Sequence, residues 1–244
     1  MIRLCCCESN THLRENSGMD EVSKTKIDRL GGRLRKGNID EGDLQLLDSY
    51  RLSFAEPYEL IVGTIRNDLS LEPTGRPAKS TSSISEKLRR ESIRLTQIQD
   101  IAGCRLVVSD IIEQDKVVES LVRLFSNASI VDRRSIPSHG YRAVHVIASV
   151  RGKSVEIQVR TSLQHLWAEL SEKFSDVVDP AIKYGGGDDV IQQILMRASN
   201  LVNICEKSSL RDELPGEVKQ TIGEVQTNLQ RLMLNLLEGL KRRR

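Results

Sequence analysis

Five polar side chains fall in step along the stretch SHGYRAVHVIASVRGKSVEIQVRT, residues 138–161. Val144, Val146 and Val150 alternate along its first half and Val155, Ile157 and Val159 along its second, the period-two pattern of paired strands. Arg151 and Gly152 supply a turn, since glycine readily takes up a positive φ. A two-residue turn there sets His145 against Gln158, Ile147 against Glu156 and Ala143 against Arg160. Tyr141, His145, Glu156, Gln158 and Arg160 then share one face. Moving the turn to Gly152 and Lys153 keeps the set together, whereas an odd-length loop scatters it. A carboxylate between Val155 and Ile157 suits a Mg²⁺ ligand or a general base, and the phenol ring offers a stacking surface. The alternative is a hairpin with one solvated face, on which Glu, Gln and Arg are ordinary.

Two further clusters carry complementary chemistry. Arg76 and Lys79 sit in LEPTGRPAKSTSS (71–83), and Lys87, Arg90 and Arg94 follow on the next helix. Small residues running into a capped helix N-terminus, flanked by cations, can cradle a polyphosphate; an exposed basic helix is the alternative. In QDIAGCRLVV (99–108), Asp100 and Arg105 flank Gly103 at the entry to a strand. An acid in that place can hold a divalent cation or simply shape a turn. On the helix after the hairpin, His165, Glu169 and Glu172 form a second polar stripe, read as a solvated face. Cations for phosphate, two carboxylates for a metal and an aromatic ring for a base fit phosphoryl-type transfer. No Walker sequence, GxGxxG, Ser/His/Asp order or well-set Cys/His pair competes with that reading.

These clusters need elements to deliver them. Residues 20–70 predict helices, with Leu44, Leu47, Arg51 and Phe54 on one face, a break at Pro57, then Tyr58, Ile61, Ile65 and Leu69. Residues 71–83 predict a loop, and the box Ser83-Ile84-Ser85-Glu86 a helix from Ile84 to about Leu95. A strand at 104–109, a helix at 113–125 carrying Val117, Leu121 and Leu124, a short strand near Ile130 and the hairpin follow. Thr161 caps the next helix, whose buried stripe is Leu163, Leu166, Trp167, Leu170 and Phe174. This order describes an α+β domain on a small mixed sheet. KYGGGDD (183–189) predicts a break, followed by helices near 190–207 and 216–241. In the last, Val218, Ile222, Val225, Leu229, Leu232 and Leu236 alternate spacings of four and three. Such a seam docks on the chain's own helices or pairs with a second copy.

Composition bounds the class. Hydrophobic residues at 39% and charged residues at 29% of 244 are those of a soluble globular protein, and a net charge of +2 is too small to draw nucleic acid by itself. No apolar run approaches the ~20 residues of a membrane span, so a cytoplasmic protein with no membrane partner is expected. Cys5, Cys6, Cys7, Cys104 and Cys205 make neither a disulfide framework nor the spaced pairs of a zinc site. Residues 1–18 are expected to be a disordered leader, with Met19 able to serve equally well as a start.

QDIAGCRLVV, HGYRAVH, VEIQVRT and QHLWAEL, in that order, closely resemble the synthetase domain of RelA/SpoT homologues, the stringent-response alarmone synthetases. GRPAKSTSSISEKL looks like their basic ATP-binding segment, and the resemblance covers roughly residues 70–185. It implies a nucleotidyltransferase-like α+β synthetase domain over 71–185, between N-terminal helices at 19–70 and a C-terminal helical segment at 190–241. It implies Mg²⁺-dependent transfer of pyrophosphate from ATP to the 3′-hydroxyl of GTP or GDP, giving (p)ppGpp and AMP. Carried over by motif, Asp100 and Glu156 would bind Mg²⁺, and Glu156 would help deprotonate the attacking hydroxyl. Arg76, Lys79, Lys87 and Arg105 would hold ATP; Tyr141 would stack on guanine, with His145, Gln158 and Arg160 lining the acceptor pocket.

The chain also departs from the pattern. Many relatives carry a lysine before the Gly-Tyr where IPSHGY has Pro137, so the acceptor phosphates would fall to Arg133, Arg134 or His139, or the acceptor itself differs. Arg76 is one residue further from Lys79 than the usual Arg-x-Lys spacing. None of His12, His139, His145 and His165 precedes an aspartate, so the His-Asp hydrolase motif of bifunctional relatives is not expected. Small stand-alone members commonly assemble through C-terminal helices, which implies a homo-oligomer. Two other readings stay open: a toxin making adenosine alarmones or pyrophosphorylating the 3′ end of tRNA, held by Lys87, Arg89, Arg90 and Arg94; and an inactive nucleotide- or RNA-binding module.

Overall fold

Short polar caps open most of the helices: Ser23, Asp40, Ser80, Asp110, Thr161 and Asp188 each accept a backbone N–H with the side chain. The computed structural model describes residues 23–211 and 213–242, so Cys5, Cys6, Cys7 and the leader expected at 1–18 lie outside it. Helices α1 (Lys24–Lys36), α2 (Glu41–Leu52) and α3 (Ala55–Leu69) precede the short strand β1 (Thr74–Arg76) and α4 (Thr81–Arg90). Strand β2 (Ala102–Val108), helix α5 (Ile111–Leu124), strands β3 (Ser129–Asp132), β4 (Val144–Val150) and β5 (Lys153–Thr161) follow. Helices α6 (Ser162–Val177), α7 (Asp189–Ser209) and α8 (Gly216–Lys241) complete the described chain.

Three local expectations are corrected. The break before α3 falls at Ser53 and Phe54, and Pro57 lies in the first turn of α3, where a missing N–H leaves no helical bond unmade. Helix α4 starts at Thr81 under Ser80, whose hydroxyl accepts from Ser83 N–H, and ends at Arg90 instead of Leu95. Its early end has a tertiary cause: Arg35 of α1 donates to the carbonyls of Leu88 and Ile93 and caps it from outside. Inside the expected loop 71–83, Thr74–Arg76 forms β1 by pairing with β2. A three-residue strand with no apolar alternation leaves no local signal.

The sheet has the order β1-β2-β5-β4-β3, with β2 and β5 parallel and the other pairs antiparallel. Val150 pairs with Lys153 around Arg151 and Gly152, whose φ values of 49° and 72° make the two-residue turn expected from the sequence. One face presents Cys104, Leu106, Val144, Val146, Val155, Ile157 and Val159 to a core shared with α1, α3, α4 and α5. Period-two geometry therefore turns Arg105, His145, Glu156, Gln158 and Arg160 to the opposite face.

A second core lies beyond that face. Leu163, Leu166, Trp167 and Leu170 of α6 pack with Leu195 and Val202 of α7 and with Leu229, Met233, Leu237 and Leu240 of α8. The seam read along α8 divides: Leu229 docks and Leu236 is packed against the same core, but Val218, Val225 and Leu232 are 42%, 41% and 57% exposed. Among the described residues, no helix is long and apolar enough to cross a membrane.

Candidate active site

The hairpin register sets His145 beside Gln158 and Ile147 beside Glu156. From these positions five side chains close a circuit. Tyr141 Oη lies 2.8 Å from His145 Nε2, and His145 Nδ1 lies 3.3 Å from Glu156 Oε2. Gln158 Nε2 donates to Glu156 Oε1 at 2.6 Å, and Arg160 Nη2 donates to both Gln158 Oε1 at 2.7 Å and Tyr141 Oη at 3.0 Å. The polarity that gives each of these contacts one donor and one acceptor has Tyr141 donating to Nε2 and the Nδ1–H of His145 pointing at Glu156. Arg160 is then the source of donors and Glu156 the acceptor on which both branches converge. Burial pushes the Glu156 carboxyl up, but His145 and the Gln158 amide overcome it and hold the group below its ordinary value.

The parallel pairing of β2 with β5 brings the second acid in. Gly103 pairs with Glu156, and Asp100, just before β2, lines the same cavity as Glu156 and opposes its ionisation by charge. Lys79 Nζ lies 2.5 Å from Asp100 Oδ2, and Lys87 Nζ 2.8 Å from Oδ1. Burial works against that charge, yet the two ammonium groups outweigh it and hold Asp100 at about 2. Helix α4 and the loop before it thus deliver their lysines to the strand entry.

Two cavities meet at Glu156. The first, about 570 Å³, is lined by Arg76, Lys79, Asp100, Arg105, Gln158 and Arg160 together with Glu156. The second, about 590 Å³, is lined by Lys87, Arg133, His145, Ile147, Ser154 and Glu156. Both fall in the size range of small-molecule sites. Gln158 and Arg160 thus stand on the wall with Arg76 and Arg105, while Lys87 stands with His145. Tyr141 is half-buried, packs against the second core, and carries the Arg160 guanidinium 4.9 Å from its ring centroid.

Buried donors remain unmatched on the first wall. Arg105 Nε and Arg160 Nε and Nη1 have no hydrogen-bond partner among the described residues. Burial, reinforced by Arg160, lowers the Arg105 pKa. Unpaired buried guanidinium N–H groups are costly unless an anion meets them. The acids fit a divalent cation: both are held ionised, they share a cavity, and they offer hard oxygens. Among the described residues no group of three or more His, Cys, Asp or Glu forms a cage, so phosphate and water oxygens would complete the shell.

Some residues of the site escaped the sequence. Glu172, read as part of a solvated stripe, lines the first cavity. Its neighbour on that stripe, His165, has its pKa lowered by burial and also by Arg105 and Arg160, against the opposing charge of Glu169. The available signal was position: α6 leaves the very end of the strand that carries Glu156 to Arg160. Conversely, the basic residues expected on one helix are drawn into structure: in α4 Arg89 donates to the Arg35 carbonyl and Arg90 stacks 3.9 Å over the Tyr184 ring, while Arg94 falls beyond the end of α4 and lies 3.8 Å from Asp28.

Comparison with known proteins gives concordant matches. A family model described as the region found in RelA/SpoT proteins matches residues 75–175. Uncharacterized proteins of Mycobacterium tuberculosis and Mycobacterium bovis are 31% identical over 229 residues, covering 84% of this chain and 84% of each relative. A guanosine-3′,5′-bis(diphosphate) 3′-pyrophosphohydrolase of Aquifex aeolicus is 35% identical over 96 residues, 38% of this chain and 14% of that protein. Among solved structures, small alarmone synthetase 1 from Bacillus subtilis bound to its product pppGpp is 26% identical. That match has a TM-score of 0.51 and covers 76% of this chain and 99% of that one.

Proposed function

The chain belongs to the RelA/SpoT family, and from that premise we propose that it is a Mg²⁺-dependent alarmone synthetase, transferring pyrophosphate from ATP to the 3′-hydroxyl of GDP or GTP. The observation that carries this reading is Glu156, ionised and shared by two nucleotide-sized cavities, with Asp100 beside it. The matched structure's bound pppGpp, a product of such a reaction, supports it by analogy.

In this reading ATP takes the first cavity, where Arg76 and Arg105 hold the adenine side and Arg105 and Arg160 offer their unpaired N–H groups to phosphate. Lys79 and Lys87 exchange part of their pairing with Asp100 for the donor phosphates. Mg²⁺, when bound at Asp100 and Glu156, neutralises charge on the transferred group. The acceptor lies toward the second cavity, its guanine against Tyr141 and its ribose by His145. Glu156 takes the proton of the 3′-hydroxyl as that oxygen bonds to the β-phosphorus. The bond from the β-phosphorus to the α–β bridging oxygen breaks, and AMP leaves with that oxygen. Catalysis of this kind is positioning and charge neutralisation.

Arg133 is assigned the acceptor's 5′-phosphates. It lines the second cavity, and its guanidinium has no ion pair among the described residues. Arg134, by contrast, is pinned by Asp132 at 2.7 Å and Asp115 at 2.6 Å, and the His139 ring packs on the Gly185 backbone. Incubation with γ-labelled ATP and Mg²⁺, offering GDP, GTP, ATP and deacylated tRNA in turn, tests the reading. Label in GDP or GTP with equal AMP release is expected. Label only in tRNA or an adenosine nucleotide assigns the toxin-like chemistry instead, and label nowhere assigns an inactive module.

A further inference from the structure

The helices after the sheet reach back to the acceptor segment. Ser138, His139, Gly140 and Tyr141 form a tight turn closed by Tyr141 N–H on the Ser138 carbonyl at 2.9 Å. Both central residues have positive φ, 51° at His139 and 87° at Gly140. A histidine in that conformation needs outside support. Helix α7 supplies it. Ser199, 1% exposed, donates from Oγ to the Gly140 carbonyl at 2.6 Å and accepts from Arg142 Nε at 3.0 Å. One hydroxyl therefore bridges the residues on either side of Tyr141. Arg142 also donates to Asn200 Oδ1 at 3.3 Å and to the Arg134 carbonyl. The Trp167 ring occupies the space a Cβ on Gly140 would need, and its Nε1 donates to the Leu195 carbonyl at 2.7 Å.

We propose that Ser199 is a positioning residue of the acceptor site. Through Gly140 and Arg142 it holds the Tyr141 hydroxyl where it meets His145, and so sets the branch of the circuit that ends on Glu156. Helix α7 is then a working wall of the site, not only a partner in the second core. The inference rests on the synthetase reading for the identity of its acceptor. A hydroxyl that merely stabilised the fold would affect both substrates alike.

The test compares Ser199→Ala, Ser199→Thr and Met233→Ala; Met233 is buried in the same core from α8. KM for GDP, KM for ATP and Tm are measured for each, and GDP is titrated without ATP by following Trp167, the single tryptophan of the chain. Ser199→Ala is expected to raise KM and Kd for GDP about tenfold, the scale of one lost buried hydrogen bond, with KM for ATP unchanged. Ser199→Thr, which retains the hydroxyl, recovers GDP binding, and Met233→Ala lowers Tm without a selective rise. Parental GDP values in Ser199→Ala, equal rises for both substrates, or the same selectivity in Met233→Ala would each overturn the proposal. A parent that binds GDP but releases no AMP defeats the synthetase reading alone, since the binding comparison still decides the role of Ser199. A parent that neither binds nor turns over defeats both.

Discussion

Glu156 is the residue on which the site's donors converge, and its charge has to survive burial for the chemistry to run. Glu156→Gln retains the shape but removes the base, and AMP release is expected to fall by at least ~10² while the melting curve stays close to the parent's. An active Glu156→Gln protein with parental AMP release would refute a base role. Asp100 makes a separate, pH-dependent contribution. Its folded pKa of about 2 lies below the ordinary carboxylate value of 3.8, so its stabilisation is complete above about pH 4 and is lost as pH falls through 2. The shift corresponds to about 2 kcal/mol. Asp100→Asn should therefore flatten the acid limb of a denaturation series between pH 2 and 5. At this scale Arg133→Ala is expected to raise KM for GDP about tenfold, with little effect on unphosphorylated guanosine, if it holds the 5′-phosphates. Equal losses for both acceptors would remove it from that role.

Elements carry these residues into range, and two of them can be probed directly. The β4–β5 register depends on a turn in which Gly152 has a φ of 72° and open space around it. Gly152→Ala therefore adds backbone strain without a clash, and should cost about 1 kcal/mol in denaturant melts. Helix α7 docks through a buried polar network: Glu206 accepts from Thr161 Oγ1 and from Gln164 Nε2, and Gln114 Nε2 donates to Gln164 Oε1. Burial pushes the Glu206 carboxyl above its ordinary value despite those donors and the Arg142 and Arg134 charges. A raised acid stabilises when protonated: the gain is full below the unfolded pKa and is lost as pH rises through the folded one. Glu206→Gln is accordingly expected to raise Tm at neutral pH and to weaken its pH dependence; a lower Tm at pH 7 would show that the ionised form is the preferred partner of this network.

Across the whole molecule, the α8 seam is shared between the fold and its surface. Leu237→Ala, at a buried position of the second core, should cost about 2–5 kcal/mol. The exposed Val218, Val225 and Leu232 are the part of the seam that a second copy would have to cover, and Val225→Glu should shift light-scattering mass toward monomer if they pair. Periodicity and spacing alone determined the hairpin, its two-residue turn, the shared face of Tyr141, His145, Glu156, Gln158 and Arg160, and the Thr161 cap, because each depends on neighbours within one or two strands. The four motifs indicated the family for the same local reason. Tertiary structure alone decided the rest. Whether Asp100 meets Glu156 depends on β2 lying parallel to β5, a pairing across some fifty residues that neither strand encodes by itself. The strand β1, the early end of α4, the wall position of Glu172 and the clamp of Ser199 on Gly140 likewise arise where distant segments touch. Local pattern dictates which way a side chain faces; only the packing of remote elements dictates what it faces.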